Sequence, residues 1–348
     1  MSARPPVAAR PAPEQPRRRL SWRHPATRAL LWQMLAVVLV LALLGWLVVN
    51  TRANMALRGI QSGWDFLTQP AGFDIGEQPI AYDPSDSYWR AFAVGLLNTL
   101  RVAATGIVLC TLVGTAVGVG RLSHNLPVRA LCRGYVELFR NIPLLVQLLF
   151  WYLLLVQYLP DAADAWTWGH AVYLSKAGLA LPTLAHDAGQ GVFGWHWQNP
   201  ALDGLSIEGG LVVSPEFLAV LVALSCYTAA FVAEVVRAGI AAVPRGQVEA
   251  AQSIGLGRWQ TLRLVVGPQA LRVAVPPLTN QYLNLTKNSS LAVAVGYPDL
   301  VSIANTSLNQ TGRALECIAI IMAVYLSLSL LTAAAMAVVN RRAALKER

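Results

Sequence analysis

The sequence predicts an all-α integral membrane protein, a polytopic helical bundle of about six transmembrane helices with a structured cytoplasmic loop. Three observations carry this. Of the 348 residues, 55% are apolar and only 13% charged, against about 25% charged in an ordinary soluble protein, and the mean hydropathy is +0.47. Several uncharged runs are long enough to cross ~30 Å of hydrocarbon at ~1.5 Å per helical residue. The basic residues are concentrated in alternate loops.

Taken in order, residues 30–49 form the first span, and 102–120 and 142–159 the next two, all without charge. Residues 217–233 give a slightly shorter fourth span that ends just before Glu234. Residues 273–295 are long enough for a fifth. Pro276 and Pro277 break them, and they carry Asn280, Gln281, Asn284, Lys287 and Asn288. A segment this polar must line protein or a cavity rather than lipid. Residues 317–340 form the sixth and longest clean span.

Orientation follows from the Lys and Arg tally. Residues 1–28, 120–140, 237–272 and 341–348 hold 20 basic residues between them, while 50–87, 160–216 and 287–313 hold 5. The positive-inside rule then places both termini in the cytoplasm. The acidic residues agree, with five in 50–87 and six in 160–216. The formal charge of +9 is therefore spread over tails and loops, and does not make the folded basic surface that nucleic-acid binding needs.

The segments between the spans carry less chemistry. The 1–28 tail, with six prolines and seven arginines, is too polar to fold and reads as a disordered topology anchor. The 30–49 run exceeds the usual ~7–15 apolar residues of a signal peptide, and no small-x-small cleavage site follows it. Residues 50–87 read as loop with one short helix. Residues 160–214 form a longer extracytoplasmic insertion with Trp166, Trp168, Trp195 and Trp197, suited to an interfacial belt or a docking surface. His170, His186 and His196 in that insertion show no metal-ligand spacing. Cys110, Cys132, Cys226 and Cys317 lie in or beside apolar runs and read as packing residues.

The loop between the fourth and fifth spans is the most informative. Pro244 suits the first turn of a helix, and Glu249, Ala250 and Ala251 continue it. Gly255 or Gly257 fits a left-handed helix end. A second short helix runs from about Arg258 to Val266 and stops at Pro268. Such a helical pair, with small residues for close approach and Glu249 for a charge-assisted contact, is built to enter a groove on another protein.

At this point the sequence resembles the integral-membrane subunits of ABC importers. Their loop motif is Glu-Ala-Ala, three residues, Gly, nine residues, then Ile-x-Leu-Pro. Glu249, Ala250, Ala251, Gly255, Val265 and Pro268 occupy those positions, with Val265 in place of Ile and Gly267 in place of Leu. Further stretches look like the polar amino-acid branch of that family: residues 95–101, 135–147, 227–239, 268–272 and 287–292. The resemblance covers roughly residues 88–340. The additional first span (29–87 with its loop) and the 160–214 insertion resemble the larger permeases of general L-amino-acid importers.

The resemblance implies a permease subunit in the bacterial inner membrane. It would pair with a second, similar permease as a heterodimer, receive amino acids from a periplasmic binding protein, and be driven by two cytoplasmic ATPases. Residues 244–268 would be the coupling loop. ATP and Mg would sit on the partner ATPase, and no cofactor or metal on this chain. In keeping with this, the chain has no Gly-x-x-x-x-Gly-Lys-Ser/Thr phosphate loop.

The substrate pathway offers Tyr227, Glu234, Asn280, Gln281, Asn284, Lys287 and Asn288. Asn280, Asn284 and Lys287 follow i, i+4, i+7 spacing and share a helical face. Their amides and cation would suit an amino acid, or alternatively would bond between helices at a subunit interface. Glu234 needs a partner such as Arg237, or a cavity. Glu137 and Arg140 are three apart and read as a structural ion pair. Two other classes of protein fit less well. An ion-gradient-driven secondary transporter of small polar solutes would also have broken polar spans, but leaves the loop motif unexplained. A membrane-embedded enzyme would need a catalytic set that no Ser/His/Asp or His-Glu-x-x-His arrangement supplies.

Overall fold

The computed structural model describes residues 25–57, 59, 62–169, 171–186, 195–204 and 206–343. The 1–24 tail, residues 344–348 and His170 lie outside the described residues, as does the side chain of His186. The chain divides into two compact units, Met1–Gln61 and Ser62–Arg348.

Among its described residues, the first unit holds one helix, α1 (Pro25–Leu57). Its 33 residues extend about 50 Å, and its large apolar side chains, from Leu30 to Val49, are exposed. A helix apolar all round belongs in lipid.

The second unit is built on α2 (Tyr88–Gly120), α5 (Pro215–Ala241) and α8 (Gly267–Asn288). Small residues set how closely these helices pack. A Cβ added at Gly114 of α2 would lie 2.6 Å from the Val232 side chain and 2.8 Å from the Ala229 carbonyl oxygen of α5. One turn on, a Cβ at Gly118 would meet the Ala233 carbonyl at 2.7 Å. Val102, Ala219, Val220, Ala223 and Tyr297 are buried where α2, α5 and the chain after α8 meet.

α3 (Leu126–Asn141) and α4 (Leu144–Tyr158) meet at a bend of 105°. Pro143 explains it, since a residue before proline is driven out of the helical region and Ile142 is extended at φ −92°, ψ 129°. The buried Gln147 amide then donates to the Phe139 and Ile142 carbonyls, both at 2.9 Å. That satisfies acceptors the helix end would otherwise leave bare.

Among the described residues, four helices are long and apolar enough to cross a membrane: α1, α2, α5 and α10 (Ala314–Ala343). Counting the α3–α4 pair as one broken span gives five. The fifth expected segment, 273–295, is helical throughout, as α8 followed by a 3-10 stretch, Ser289–Val295. Its polar residues keep it out of that count, so six apolar spans are not seen.

The insertion holds short strands that the residue pattern did not reveal. β1 (Trp166–Trp168), β2 (Val172–Ser175), β3 (Gly178–Leu181) and β8 (Leu211–Val213) form an antiparallel sheet in the order β1-β2-β3-β8. β4 (Thr183–His186) pairs with β5 (Trp195–Gln198), and β6 (Ala201–Asp203) with β7 (Ser206–Glu208). Strands of three or four residues, with exposed β1, β5 and β6, carry almost no alternation signal. All four tryptophans are exposed.

The 62–87 segment contains the expected short helix, a 3-10 turn at Asp65–Thr68. It is otherwise a packed strap. Phe66, Ala71, Ile75 and Tyr82 are buried with Tyr88 and Phe92 of α2 and with Leu300, Ile303 and Ala304 of α9 (Leu300–Thr311).

Candidate functional site: the interhelical hairpin and the polar face of the eighth helix

Two regions bring candidate residues together. The first runs from α5 to α8. After Pro244, α6 (Arg245–Ser253) ends at Gly255, whose φ of +86° is the left-handed conformation glycine tolerates best. The Leu256 N–H donates to the Ala251 carbonyl at 3.1 Å and the Gly255 N–H to Gln252 at 2.9 Å, which closes the helix end. α7 (Arg258–Thr261) follows, opened by the Gln260 side chain accepting from the Gly257 N–H at 2.9 Å.

This hairpin has an inner and an outer side. Ala251 is buried, and Val243, Val266 and Ala270 form a small core with Ile240, Val248 and Leu262 beneath it. Glu249 and Ala250 are exposed, as are Ile254 and Trp259, at 79% and 71%. Among the described residues, the Glu249 carboxylate has no ion pair. The loop therefore presents one carboxylate and two large apolar side chains, on backbone fixed from within.

One expectation for this loop fails. The second helix does not stop at Pro268. α7 runs through a π-helical turn, Leu262–Val266, directly into α8. A proline clashes with the carbonyl four residues back and offers it no N–H, and the wider π turn just before Pro268 relieves both problems. Val265 and Pro268 are thus half-buried at the root of α8, away from the exposed set of Glu249 and Ala250.

The second region is α8 itself. Ala274, Val275, Leu278, Tyr282, Leu285 and Thr286 are buried, and the Tyr282 hydroxyl meets Thr111 of α2 at 2.8 Å. On the other side, Pro276, Pro277, Asn280, Asn284 and Lys287 are exposed, with Gln281 and Asn288 half-buried. The shared face expected of Asn280, Asn284 and Lys287 is thus present, and among the described residues the side chains of these three make no hydrogen bond or ion pair.

The other candidates are placed elsewhere. Tyr227 is half-buried against Phe231, ring centroids 5.0 Å apart. Glu234 binds two guanidiniums, Arg121 at the end of α2 and Arg237 one turn on. It is a tie between α2 and α5 rather than an open anion. The Glu137–Arg140 pair does not form. Both are exposed on α3, and the Arg140 guanidinium lies over the Phe231 ring at 5.1 Å, where a cation–π contact replaces the salt bridge.

Sequence reasoning missed a third arrangement. Glu77, in the strap, accepts from Arg101 of α2 at 2.8 Å and from the Ser214 N–H at 3.2 Å. Arg101 also stacks on Phe217 of α5 at 4.4 Å. Asn98 donates to the carbonyls of Glu77 and Pro298. Beside this network is a cavity of about 460 Å³ whose lining includes Asp74, Glu77, Glu216, Ser302 and Thr306. These residues are far apart in sequence, and only the acidity of 50–87 hinted at them.

A bundle of spanning helices, a braced interhelical hairpin and an exposed polar helix face define the membrane subunit of a multi-component transporter. Residues 106–345 match the family model described as binding-protein-dependent transport system inner membrane component, and the chain belongs to that family. It is 44% identical to the putative amino-acid ABC transporter permease protein YhdX of Escherichia coli, across 94% of this chain and 97% of that one. It is 40% identical to the general L-amino acid transport system permease protein AapQ of Rhizobium johnstonii, across 93% and 94%. Among solved structures, an amino acid ABC transporter crystallised with histidines is 27% identical, with TM-score 0.52, covering 73% of this chain and 95% of that one. The inward-facing MetNI methionine transporter, at 18% identity and TM-score 0.52, shares the fold.

Proposed function

We propose that the chain is the permease subunit of an ATP-driven importer of polar L-amino acids, working beside a second, similar permease in the inner membrane with both termini in the cytoplasm. The observation that carries this reading is the hairpin of α6 and α7, which projects Glu249, Ala250, Ile254 and Trp259 between α5 and α8. The amino-acid permeases among its relatives supply the substrate class.

In this reading a cytoplasmic ATPase, which binds the ATP and Mg, receives the hairpin in a groove. The buried anchors Ala251 and Val266 join the hairpin to the inner ends of α5 and α8. With α7, the π turn and α8 continuous, a push on the hairpin is delivered along α8. The exposed face of Asn280, Asn284 and Lys287 then turns with it. Amide and ammonium groups there would meet an amino acid's carboxylate and polar side chain, and a facing permease subunit would close the pathway. An external binding protein would deliver the substrate.

The test is purification of the tagged chain from its own membranes in mild detergent. The reading requires a soluble ATPase and a second permease to accompany it in comparable amounts. Recovery of the chain alone, still transporting solute under an ion gradient without ATP, would refute it.

A further inference from the structure

α3 is unlike the other long helices. It carries the largest split between polar and apolar sides, with Arg129 and Arg133 one turn apart on one side and Leu131, Gly134 and Leu138 on the other. Arg133 is exposed and Arg129 half-exposed, and among the described residues neither forms an ion pair. Leu126, Leu131 and Leu138 are exposed at 64%, 76% and 55%. Between α3 and the end of α2 lies an apolar groove of about 750 Å³, lined among others by Val117, Leu131, Gly134, Tyr135 and Leu138.

The connections fix where this helix sits. It joins α2 to α4, so it cannot leave the membrane surface, and the 105° bend at Pro143 turns it away from the course of α4. Its arginines are too polar for hydrocarbon, and its exposed leucines are out of place in water. A helix with that division settles along the lipid–water boundary.

We propose that α3 is an anionic-phospholipid-binding element, with Arg129 and Arg133 taking the headgroup phosphates and the α2–α3 groove taking acyl chains. Arginine suits the role, because its planar fork bonds phosphate oxygens in pairs and its long stem reaches the headgroups while lying on apolar surface. A basic residue near such a surface favours anionic lipid by about five-fold. The site concerns the bilayer alone and does not depend on which solute is carried.

The experiment places a reporter in the groove. An added Cβ at Gly134 meets no atom within 4 Å, so Gly134→Cys accepts a bimane label with little disturbance, and the parent chain labelled in parallel gives the background. The intact importer is reconstituted into phosphatidylcholine bilayers with increasing brominated phosphatidylglycerol or brominated phosphatidylcholine. Quenching by the anionic lipid should set in at about five-fold lower mole fraction or less. The double variant Arg129→Gln/Arg133→Gln should bring the two lipids together. Should that variant fail to assemble, added salt must weaken the preference in the parent importer, since surface charge is screened. Equal quenching by both lipids would overturn the proposal. So would absence of quenching by either, which would mean that a protein partner covers the groove.

Discussion

Reversing the charge of Glu249 separates coupling from folding. The residue lies mid-way along α6 with its carboxylate exposed, and among the described residues it makes no ion pair. Its main-chain carbonyl accepts from the Ser253 hydroxyl at 2.9 Å. Glu249→Lys should therefore change the stability of the chain by no more than about 0.5 kcal/mol, as expected for an exposed position without special contacts. If the carboxylate enters a groove on an ATPase and meets a cation there, reversal leaves like charges facing each other. Losing one partner of such a pair costs about 2–5 kcal/mol, or about thirty-fold to several thousand-fold in affinity. In proteoliposomes, ATP-driven uptake should fall by at least about thirty-fold, with ATPase co-purification reduced in parallel and the unfolding temperature unchanged. Glu249→Gln, which removes charge without reversing it, should fall between. Full uptake by Glu249→Lys would refute the reasoning.

Three other outcomes follow from the packing. Gly114→Leu forces a side chain into Val232 and the Ala229 carbonyl and should destabilise the chain by about 1–3 kcal/mol, seen as a lower unfolding midpoint in detergent. Glu234→Gln strips the anion from Arg121 and Arg237 and should cost about 1–3 kcal/mol with the KM for uptake unchanged; a large rise in KM would instead place Glu234 in the pathway. Asp299 caps α9 by accepting from the Ser302 N–H at 2.8 Å, and burial pushes its carboxyl up to about 7 from 3.8. The folded chain thus holds this proton more tightly than the unfolded one, so its contribution to stability is full below pH 3.8 and is lost as pH rises through about 7. Unfolding midpoints measured from pH 5 to 8 should fall more steeply for the parent chain than for Asp299→Asn.

Long-range hydropathy and local caps were the legible parts of the fold. Runs such as 30–49 and 317–340 need only their own composition to become helices, and the turn at Gly255 follows from glycine's freedom at φ +86°. The shared face of Asn280, Asn284 and Lys287 was equally plain, because helical spacing determines it. Features that depend on distant partners were not. Arg140 had a nearby acid in Glu137 but found Phe231 on another helix. Glu234 was expected to use Arg237 and also took Arg121, 113 positions away. Pro268 looks like a stop in sequence, yet a π turn upstream carries the helix through it. The strands of the insertion are too short for periodicity to declare them.

The central claim is that this permease is driven from the cytoplasm through the hairpin of α6 and α7. Its most direct measurement is amino-acid uptake into proteoliposomes holding the purified complex and external binding protein, with ATP or an ion gradient as the only energy source. The account predicts accumulation with enclosed ATP and Mg, none with the gradient alone, and loss of the ATP-driven signal in Glu249→Lys. Gradient-driven accumulation that ignores both ATP and Glu249 would contradict it.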